Sequence, residues 1–407
     1  MNDKVNRIDL DEALRMLSEL EVSPKTETVP LFDALGRVLA RDVAAVLDVP
    51  PFDRSPYDGY AIRGEDTAGA ARDNPVTLRV VEELPAGTAP TVKITAGAAA
   101  KILTGAPIPE GANTVVKYEL TEFDERSVKI FAPVKPNSDI ARAGEDVRRG
   151  QVLARRGETV SPAVAGTLAG QGTAQVEVFR RPAVALMSTG SELLEPGQDW
   201  QPAKIYNSNV YTLGAYLRSM GAGVRALGSV PDEPELIAGK IDAALRDCDM
   251  VITTGGASVG DYDFAVKSAQ LVGARVLFWK VGLKPGGSMV ASVRGGKLIL
   301  GLSGNPGAAA VALLRVAAPY IKRLCGRADC EPECLSLTLG ADFPKKSPQR
   351  RALRGRLEVR DGEALFIPTE GQGNGVVSSL VGCDLLGDVP AGSPPLRAGE
   401  KITAYRV

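Results

Sequence analysis

The sequence predicts a multidomain α/β plus β protein, in which a central parallel-sheet α/β domain joins an N-terminal helical segment and two β domains. Over residues 183–323, apolar β-type runs alternate with helical patterns. This β-α-β order is typical of a parallel sheet covered on both faces. Residues 53–139 carry short β-type runs between Gly and Pro turns, which predicts a small inserted β domain. Residues 335–407 return to short strands, which predicts a C-terminal β-barrel or sandwich.

The N-terminal segment has helical periodicity. Apolar residues recur at helical spacing over residues 9–20, and Asp9 followed by Glu12 resembles a capping box. A second helical pattern runs from Leu31 to Ala40. We therefore expect two helices before the first β domain.

The central region supplies the clearest alternation of strands and helices. Strands are predicted over 183–187, 224–229, 249–253 and 274–279. Helices are predicted over 208–220, 233–246, 262–272 and 306–323. A hairpin pattern, Ser288–Val293 and Lys297–Leu302, precedes the last helix.

Composition excludes several kinds of function. The 407 residues suit two to four domains, and a net charge of −1 argues against a general nucleic-acid binder. The chain has no histidine, which excludes His-dependent triads and His-ligated metals. A general base must therefore be a carboxylate, a lysine, a tyrosine or a metal-bound water.

Compartment is inferred from what the chain lacks. The N-terminus is polar, and the longest apolar stretch, Ala308 to Leu314, is too short to span a bilayer. Five cysteines, an odd number, suggest a reducing compartment. The spacing of Cys325, Cys330 and Cys334 favours free thiols over a metal cluster. We expect a cytoplasmic protein that binds no membrane.

The segment Met250–Asp263 carries the strongest chemical signal. An apolar strand runs into Thr254, Gly255, Gly256 and Ser258, and a helical pattern follows. Glycines let backbone N–H groups approach a ligand, and a helix N-terminus favours an anion. The pattern suits a phosphate or oxyanion, with Asp261 or Asp263 placed to hold a metal beside it. A plain strand-to-helix turn is the alternative.

Two more loops after strands should emerge at the same edge of a parallel sheet. One carries Ser188, Thr189, Gly190 and Glu192, and the other carries Asp232. Acids alone repel an anion, so converging carboxylates suggest a divalent cation that bridges to phosphate oxygens. For Glu192 and Asp232, helix capping or surface solvation is the alternative.

Lysines balance these acids. Lys284 lies on a rigid Pro-Gly-Gly turn after the strand 274–279, Lys280 lies four residues before it, and both are candidate anion ligands. Asn305 and Pro306 suit a helix start, and an anion at that helix N-terminus is the more specific interpretation. A basic run near the C-terminal domain is expected to be a solvated face; it comprises Lys345, Lys346, Arg350, Arg351, Arg354 and Arg356.

Taken in order, these segments resemble the molybdopterin molybdenumtransferase family, which includes bacterial molybdenum-insertion enzymes and the E domain of gephyrin. The resemblance covers nearly the whole chain. It is carried by Ser55–Ala61, Ile102–Pro109, Arg142–Asp146, Ser188–Glu192, Thr253–Asp263, Trp279–Gly286 and Gly304–Pro306.

The resemblance implies an enzyme that inserts molybdate into adenylated molybdopterin, releasing AMP and forming molybdenum cofactor. It implies Mg²⁺ or another divalent metal, a homodimer, and a pterin adenylyltransferase upstream. It also implies four domains: 1–52 with 140–180, the β domain 53–139, the molybdopterin-binding domain 181–327, and the β domain 328–407.

Site residues expected from the motifs and from this resemblance fall into three groups. Those expected to be catalytic are Asp58, Thr104, Asp146, Asp263, Lys280 and Lys284. Those expected to bind substrate are Ser188, Thr189, Gly190, Thr254, Gly255, Gly256, Ser258, Asn305, Pro306 and Arg354, with Lys284, Ser258 and Arg354 assigned to molybdate. Those expected to bind metal are Glu192, Asp232 and Asp263.

The chain departs from the family pattern at four places. Ser303 stands where Pro is common, Gly287 and Ser288 stand where Lys-Pro is common, and Asn374 replaces a common serine. These changes put the oxyanion preference, molybdate or tungstate, in question. Alternative functions are a molybdopterin adenylyltransferase-like or CinA-like nucleotide-processing enzyme and a non-catalytic scaffold like gephyrin.

Overall fold

A computed structural model of the chain describes residues 7–256 and 264–407. The chain divides into two compact units. The larger unit comprises Met1–Arg41, Arg156–Val160 and Gln175–Val407, and the smaller unit comprises Asp42–Arg155 and Ser161–Ala174. None of the described helices is both long and apolar enough to cross a bilayer.

The first predicted helix is confirmed. Helix α1 spans Leu10–Ser18, and the Asp9 carboxylate accepts a hydrogen bond from the Glu12 backbone N–H at 2.7 Å. Strand β1, Thr26–Pro30, follows it.

The second predicted helix, Leu31 to Ala40, is wrong. Only Leu31–Ala34 forms a 3-10 turn, and Gly36 then adopts a φ of +71°, which ends any helix. Backbone N–H groups that a helix would use internally bond elsewhere: Gly36 donates to Val160 O and Leu39 to Glu158 O, both at 2.9 Å. Long-range backbone pairing thus overrides the local periodicity.

The smaller unit is built on a six-stranded sheet. Its strands and helix are β2 Val43–Ala44, β3 Gly59–Ile62, β4 Val76–Leu84, β5 Ala98–Ile102, β6 Thr114–Lys117, β7 Thr121–Phe123, β8 Ser127–Ile130, β9 Val152–Ala154 and α2 Pro162–Gly170. The sheet order is β6-β3-β5-β4-β8-β7, and β2 pairs separately with β9. Within the six-stranded sheet only β4 and β5 run parallel; the other neighbours are antiparallel.

The larger unit contains the predicted α/β domain. Its elements are β10 Gln175–Phe179, β11 Ala183–Thr189, β12 Leu193–Leu194, β13 Ile205–Tyr206, α3 Asn209–Ser219, β14 Gly223–Val230, α4 Pro234–Asp247, β15 Met250–Thr254, α5 Phe264–Leu271, β16 Arg275–Trp279, β17 Leu283–Lys284, β18 Met289–Arg294, β19 Lys297–Leu302, α6 Pro306–Ala312 and α7 Ala318–Leu324. A π-helical turn, Leu313–Ala317, joins α6 to α7. Strand β10 pairs antiparallel with β1.

The central sheet has the order β14-β11-β15-β19-β18-β16. Strand β18 is antiparallel to both its neighbours, so the sheet is mixed rather than wholly parallel. The other five strands share one direction, because β16 and β19 each oppose β18.

Both faces of this sheet are covered. Buried side chains of α1, α3 and α6 pack on one face, and those of α4 and α5 pack on the other. Strands β11 and β15 are therefore buried almost throughout, as their continuous apolar sequences predict.

The C-terminal region is a closed five-stranded barrel. Its strands are β20 Cys334–Leu339, β21 Arg350–Arg360, β22 Glu363–Pro368, β23 Leu385–Val389 and β24 Lys401–Arg406. They close in the order β21-β22-β20-β24-β23, with β23 returning to β21. Phe366 fills the interior because Gly355 lacks a side chain: a Cβ there would overlap the Phe366 ring. None of the five cysteines forms a disulfide bond.

Candidate functional site

The predicted convergence of loops occurs at one edge of the central sheet. Strands β11, β14, β15, β16 and β19 are co-directional, so their carboxyl ends meet at this edge. Two cavities open there. Ligands of open α/β sheets bind in this position.

The glycine-loop cavity has a volume of about 70 Å³. It is lined by Ser188, Thr189, Glu192, Leu193, Ile205, Tyr206, Asn207, Ser208, Asn209, Thr254, Gly304 and Pro306. Most of its polar groups are neutral hydroxyls and carboxamides. Such groups both donate and accept hydrogen bonds, which suits a planar heterocycle with mixed polarity.

Glycines in the loops beside this cavity are required by close approach of the backbone. Gly255 has a φ of +109°, and a Cβ there would overlap the Thr189 carbonyl oxygen and stand 2.5 Å from Thr189 Oγ1. Gly190 has a φ of +146°, and its Cβ would stand 2.6 Å from Glu192 Oε2. Both backbones occupy conformations that side chains rarely adopt.

Asn209 at the start of α3 is a site residue that sequence reasoning missed. Its Nδ2 donates to Thr254 Oγ1 at 2.7 Å and to Gly304 O at 2.8 Å, which fixes the orientation of the carboxamide. The side chain is buried, and its Oδ1 accepts no hydrogen bond from any described residue. A buried acceptor without a donor is costly, so a ligand donor is the natural partner.

Asn207 is the second missed residue. Its Oδ1 accepts from Ser188 Oγ at 2.8 Å, and its Nδ2 donates to Glu195 Oε1 at 3.0 Å. The run Tyr206 to Asn209 contains two asparagines at the first turn of a helix, which reads locally as capping alone. These two asparagines line the cavity only because α3 packs against the loops.

Glu192 and Asp232, two of the expected metal ligands, lie close enough to interact electrostatically. Burial raises the pKa of Asp232, and the nearby Glu192 carboxylate raises it further, whereas the Thr189 hydroxyl and Ser191 backbone N–H oppose the rise. Asp261, Asp263 and Ser258 lie outside the described residues. Within residues 7–256 and 264–407, no three carboxylates or thiols form a metal-binding cluster.

The second cavity, named here the lysine cavity, has a volume of about 310 Å³. It is lined by Arg7, Lys280, Val281, Leu283, Lys284, Pro285, Gly286, Gly287, Ser288, Ser303, Asn305, Ala308, Gln349 and Asn374. Lys280 has a φ of +71°, which is uncommon for a residue with a side chain. Its ammonium group stands 4.5 Å from the centre of the Trp279 ring.

One loop forms a wall of both cavities. Ser303 and Asn305 line the lysine cavity, whereas Gly304 and Pro306 line the glycine-loop cavity. Asn305 is extended, and extended backbone directs successive residues to opposite sides. Helix α6 begins at Pro306, as the sequence predicts.

Arg354, a predicted molybdate ligand, does not line the lysine cavity. It is fully buried, and its Nη2 donates to the Gly373 carbonyl at 2.9 Å and the Gly371 carbonyl at 3.4 Å. It therefore braces the loop that carries Asn374 and does not line the lysine cavity. The predicted solvated basic face is also wrong at Arg351 and Arg354, because β21 closes a barrel around them.

In the smaller unit, Asp58 and Thr104 contact each other. Asp58 Oδ1 accepts from both Thr104 N and Thr104 Oγ1 at 2.7 Å, and these two donors lower the pKa of Asp58. Asp146 is exposed, and among the described residues no hydrogen bond or ion pair links it to this pair. Its backbone N–H donates to Val49 O at 3.0 Å.

Comparisons with known proteins agree across the whole chain. Residues 8–172 match the family described as MoeA N-terminal region (domain I and II), residues 185–323 match the probable molybdopterin binding domain, and residues 336–407 match the MoeA C-terminal region (domain IV). A molybdopterin molybdenumtransferase of Bacillus subtilis is 37% identical over 99% of this chain and 94% of its own.

The chain belongs to the MoeA family. A molybdopterin molybdenumtransferase of Staphylococcus aureus is 34% identical over 98% of this chain and 96% of its own. The crystal structure of a molybdopterin biosynthesis MoeA protein from Pyrococcus horikoshii superposes with a TM-score of 0.85 at 30% identity, covering 98% of this chain and 99% of that one.

The four residues that depart from the expected family pattern lie at one place. Gly287, Ser288, Ser303 and Asn374 all line the lysine cavity. The residues of the glycine-loop cavity carry none of these departures.

Proposed function

We propose that this chain is a molybdopterin molybdenumtransferase that takes adenylated molybdopterin and molybdate, and forms molybdenum cofactor and AMP. The observation that carries the proposal is the loop Ser303–Pro306, which separates a cavity lined mainly by neutral polar groups from a cationic one. Transfer of an anion to a heterocyclic ligand needs both environments side by side.

The pterin would occupy the glycine-loop cavity. Ser188, Thr254 and the two asparagines offer hydrogen-bonding groups, and Tyr206 and Ile205 offer apolar surface. The free acceptor, Asn209 Oδ1, would receive an N–H of the heterocycle. Adenylated molybdopterin is supplied, on this proposal, by an upstream pterin adenylyltransferase.

A divalent metal fits the acids beside this cavity. Glu192 and Asp232 present hard carboxylate oxygens, the donors that Mg²⁺ prefers. We propose that they hold Mg²⁺ together with Asp263. When bound, Mg²⁺ would neutralise phosphate charge during cleavage of the adenylate.

Molybdate would occupy the lysine cavity. Lys280 and Lys284 supply positive charge, and Ser288, Ser303 and Asn305 supply neutral donors. Asp58, held ionised by Thr104, is a proposed catalytic carboxylate, and Asp146 is proposed to assist it. We also propose a homodimer; the exposed apolar side chains Val46, Leu47 and Phe52 of the smaller unit support an association surface.

The test is a direct assay. Purified chain is incubated with adenylated molybdopterin, Mg²⁺ and either molybdate or tungstate, and AMP and loaded cofactor are measured. We expect both products to appear together and to require the metal and an oxyanion. AMP without loaded cofactor, or formation of adenylate from ATP and molybdopterin, would contradict the proposal and favour a nucleotide-processing enzyme.

A further inference from the structure

We infer that Arg7 is the third cation of the lysine cavity and that its guanidinium group contacts the bound oxyanion. This inference rests on the proposed function, since it assigns an additional ligand to the same anion. The local sequence contains no hint of it, because Arg7 precedes the first helix and is far along the chain from both lysines.

Backbone pairing holds Arg7 at the cavity. The next residue, Ile8, donates its N–H to Lys280 O at 3.1 Å and accepts from Gly282 N at 2.7 Å. Ile8 and Val281 form a parallel bridge. The N-terminal segment thus lies as a short strand beside the chain that carries the two lysines.

The guanidinium group of Arg7 lies near Gly282. A Cβ at Gly282 would stand 3.5 Å from Ile8 O and 3.9 Å from Arg7 Nη2. The guanidinium group therefore lies close to the backbone between Lys280 and Lys284, and Arg7 lines the cavity with both of them.

The charged residues that line the cavity are all cations. Arg7, Lys280 and Lys284 line it, and none of its lining residues is an aspartate or glutamate. In the described part of the chain, none of these three cations lies within 4 Å of a carboxylate oxygen. An anion of charge −2 bound in this cavity of about 310 Å³ would be attracted to all three side chains.

Arginine adds geometry as well as charge. Its planar group presents N–H donors in a fork that matches two oxygens of an oxyanion, whereas each lysine acts as a point charge. Neutral polar groups for the remaining oxygens come from four other lining residues, Ser288, Ser303, Gln349 and Asn374. The ligand class is a tetrahedral dianion.

Isothermal titration of the full chain with molybdate tests the inference. We expect Arg7→Met to weaken the molybdate Kd about tenfold or more, since it keeps the apolar stem but loses a charged hydrogen-bonding partner. Arg7→Lys should lie between this variant and wild type. The matched control is Arg275→Gln, which removes an exposed arginine at the start of β16, the opposite edge of the same sheet.

The outcomes separate this inference from the proposed function. If wild type binds molybdate and Arg7→Met binds it as tightly as Arg275→Gln does, the role of Arg7 is overturned and the proposed function stands. If wild type binds neither molybdate nor tungstate, both fall. Arg7→Met should keep the wild-type pterin affinity and melting temperature; a loss of both would make Arg7 structural and would also overturn the inference.

Discussion

The two cavities at the edge of the central sheet share a wall but differ in chemistry. The glycine-loop cavity is small, is lined mainly by neutral hydroxyls and carboxamides, and contains an unsatisfied acceptor. The lysine cavity is larger and is lined by three cations and no carboxylate. The difference indicates that one edge of the sheet can bind a ligand by shape and hydrogen bonding in one cavity and by charge in the other.

The two cavities also differ in how they are built. Close backbone packing surrounds the first, since Gly190 and Gly255 in the adjoining loops admit no side chain. The second is assembled from distant segments, since the N-terminus, the loop after β16 and the loop before α6 each contribute. We expect substitutions in the first cavity to cost both stability and pterin binding, and substitutions in the second to affect mainly anion affinity.

The largest expected effect is that of Gly255→Ala. The new Cβ would overlap the Thr189 backbone, at a φ of +109° that alanine rarely adopts. We expect the free energy of unfolding to fall by about 3 kcal/mol or more, measured by urea denaturation, and pterin binding to be lost.

Gly228→Ala is the matched control for that substitution. Gly228 also has a positive φ, +73°, but a Cβ there would meet nothing within 4 Å. Gly228→Ala should lower the free energy of unfolding by only about 1 kcal/mol. Equal losses in the two variants would mean that the close approach to Thr189 is not what requires glycine.

An intermediate effect is expected from Asn209→Leu. Wild type should bind pterin about tenfold more tightly than a pterin whose exocyclic amine is dimethylated, because the analogue lacks the N–H that Asn209 Oδ1 would accept. The variant should bind both ligands weakly and equally, as measured by calorimetry.

The reciprocal control is Asn305→Leu, which alters the lysine cavity. It should weaken molybdate binding and leave the preference for pterin over its analogue unchanged. If Asn209→Leu retained that preference, Asn209 would have no part in reading the heterocycle.

The smallest effect is expected from Asp232→Asn. The pKa of Asp232 is raised in the folded state, so its contribution to stability is present at low pH and is lost as pH rises through the folded pKa. The variant should therefore melt a few degrees above wild type at pH 7 and equal to it under acidic conditions.

Added Mg²⁺ should reduce the difference in melting temperature between Asp232→Asn and wild type, because it stabilises wild type more than the variant. Asp199→Asn, which removes the same charge from an exposed side chain, is the control. If Asp232→Asn melted below wild type at pH 7 without metal, the Asp232 carboxylate would not destabilise the folded state, and the raised pKa would be contradicted.

The sequence by itself determined the architecture and much of the chemistry. Continuous apolar runs predicted the strands β11 and β15, and the capped periodic segment predicted α1, because these signals depend on neighbours within a few residues. The loops bearing Glu192, Asp232 and Lys284 were found for the same reason: each follows a recognisable strand.

Tertiary structure alone decided what depends on partners distant in sequence. Residues 36–40 bond to strands far along the chain instead of forming a helix, and β21 buries Arg351 and Arg354 by closing a barrel. Asn209 and Arg7 became site residues only when α3 and the N-terminal segment packed beside the loops. Local patterns report local free energies, whereas burial, charge pairing and cavity shape arise from contacts that no short window of sequence contains.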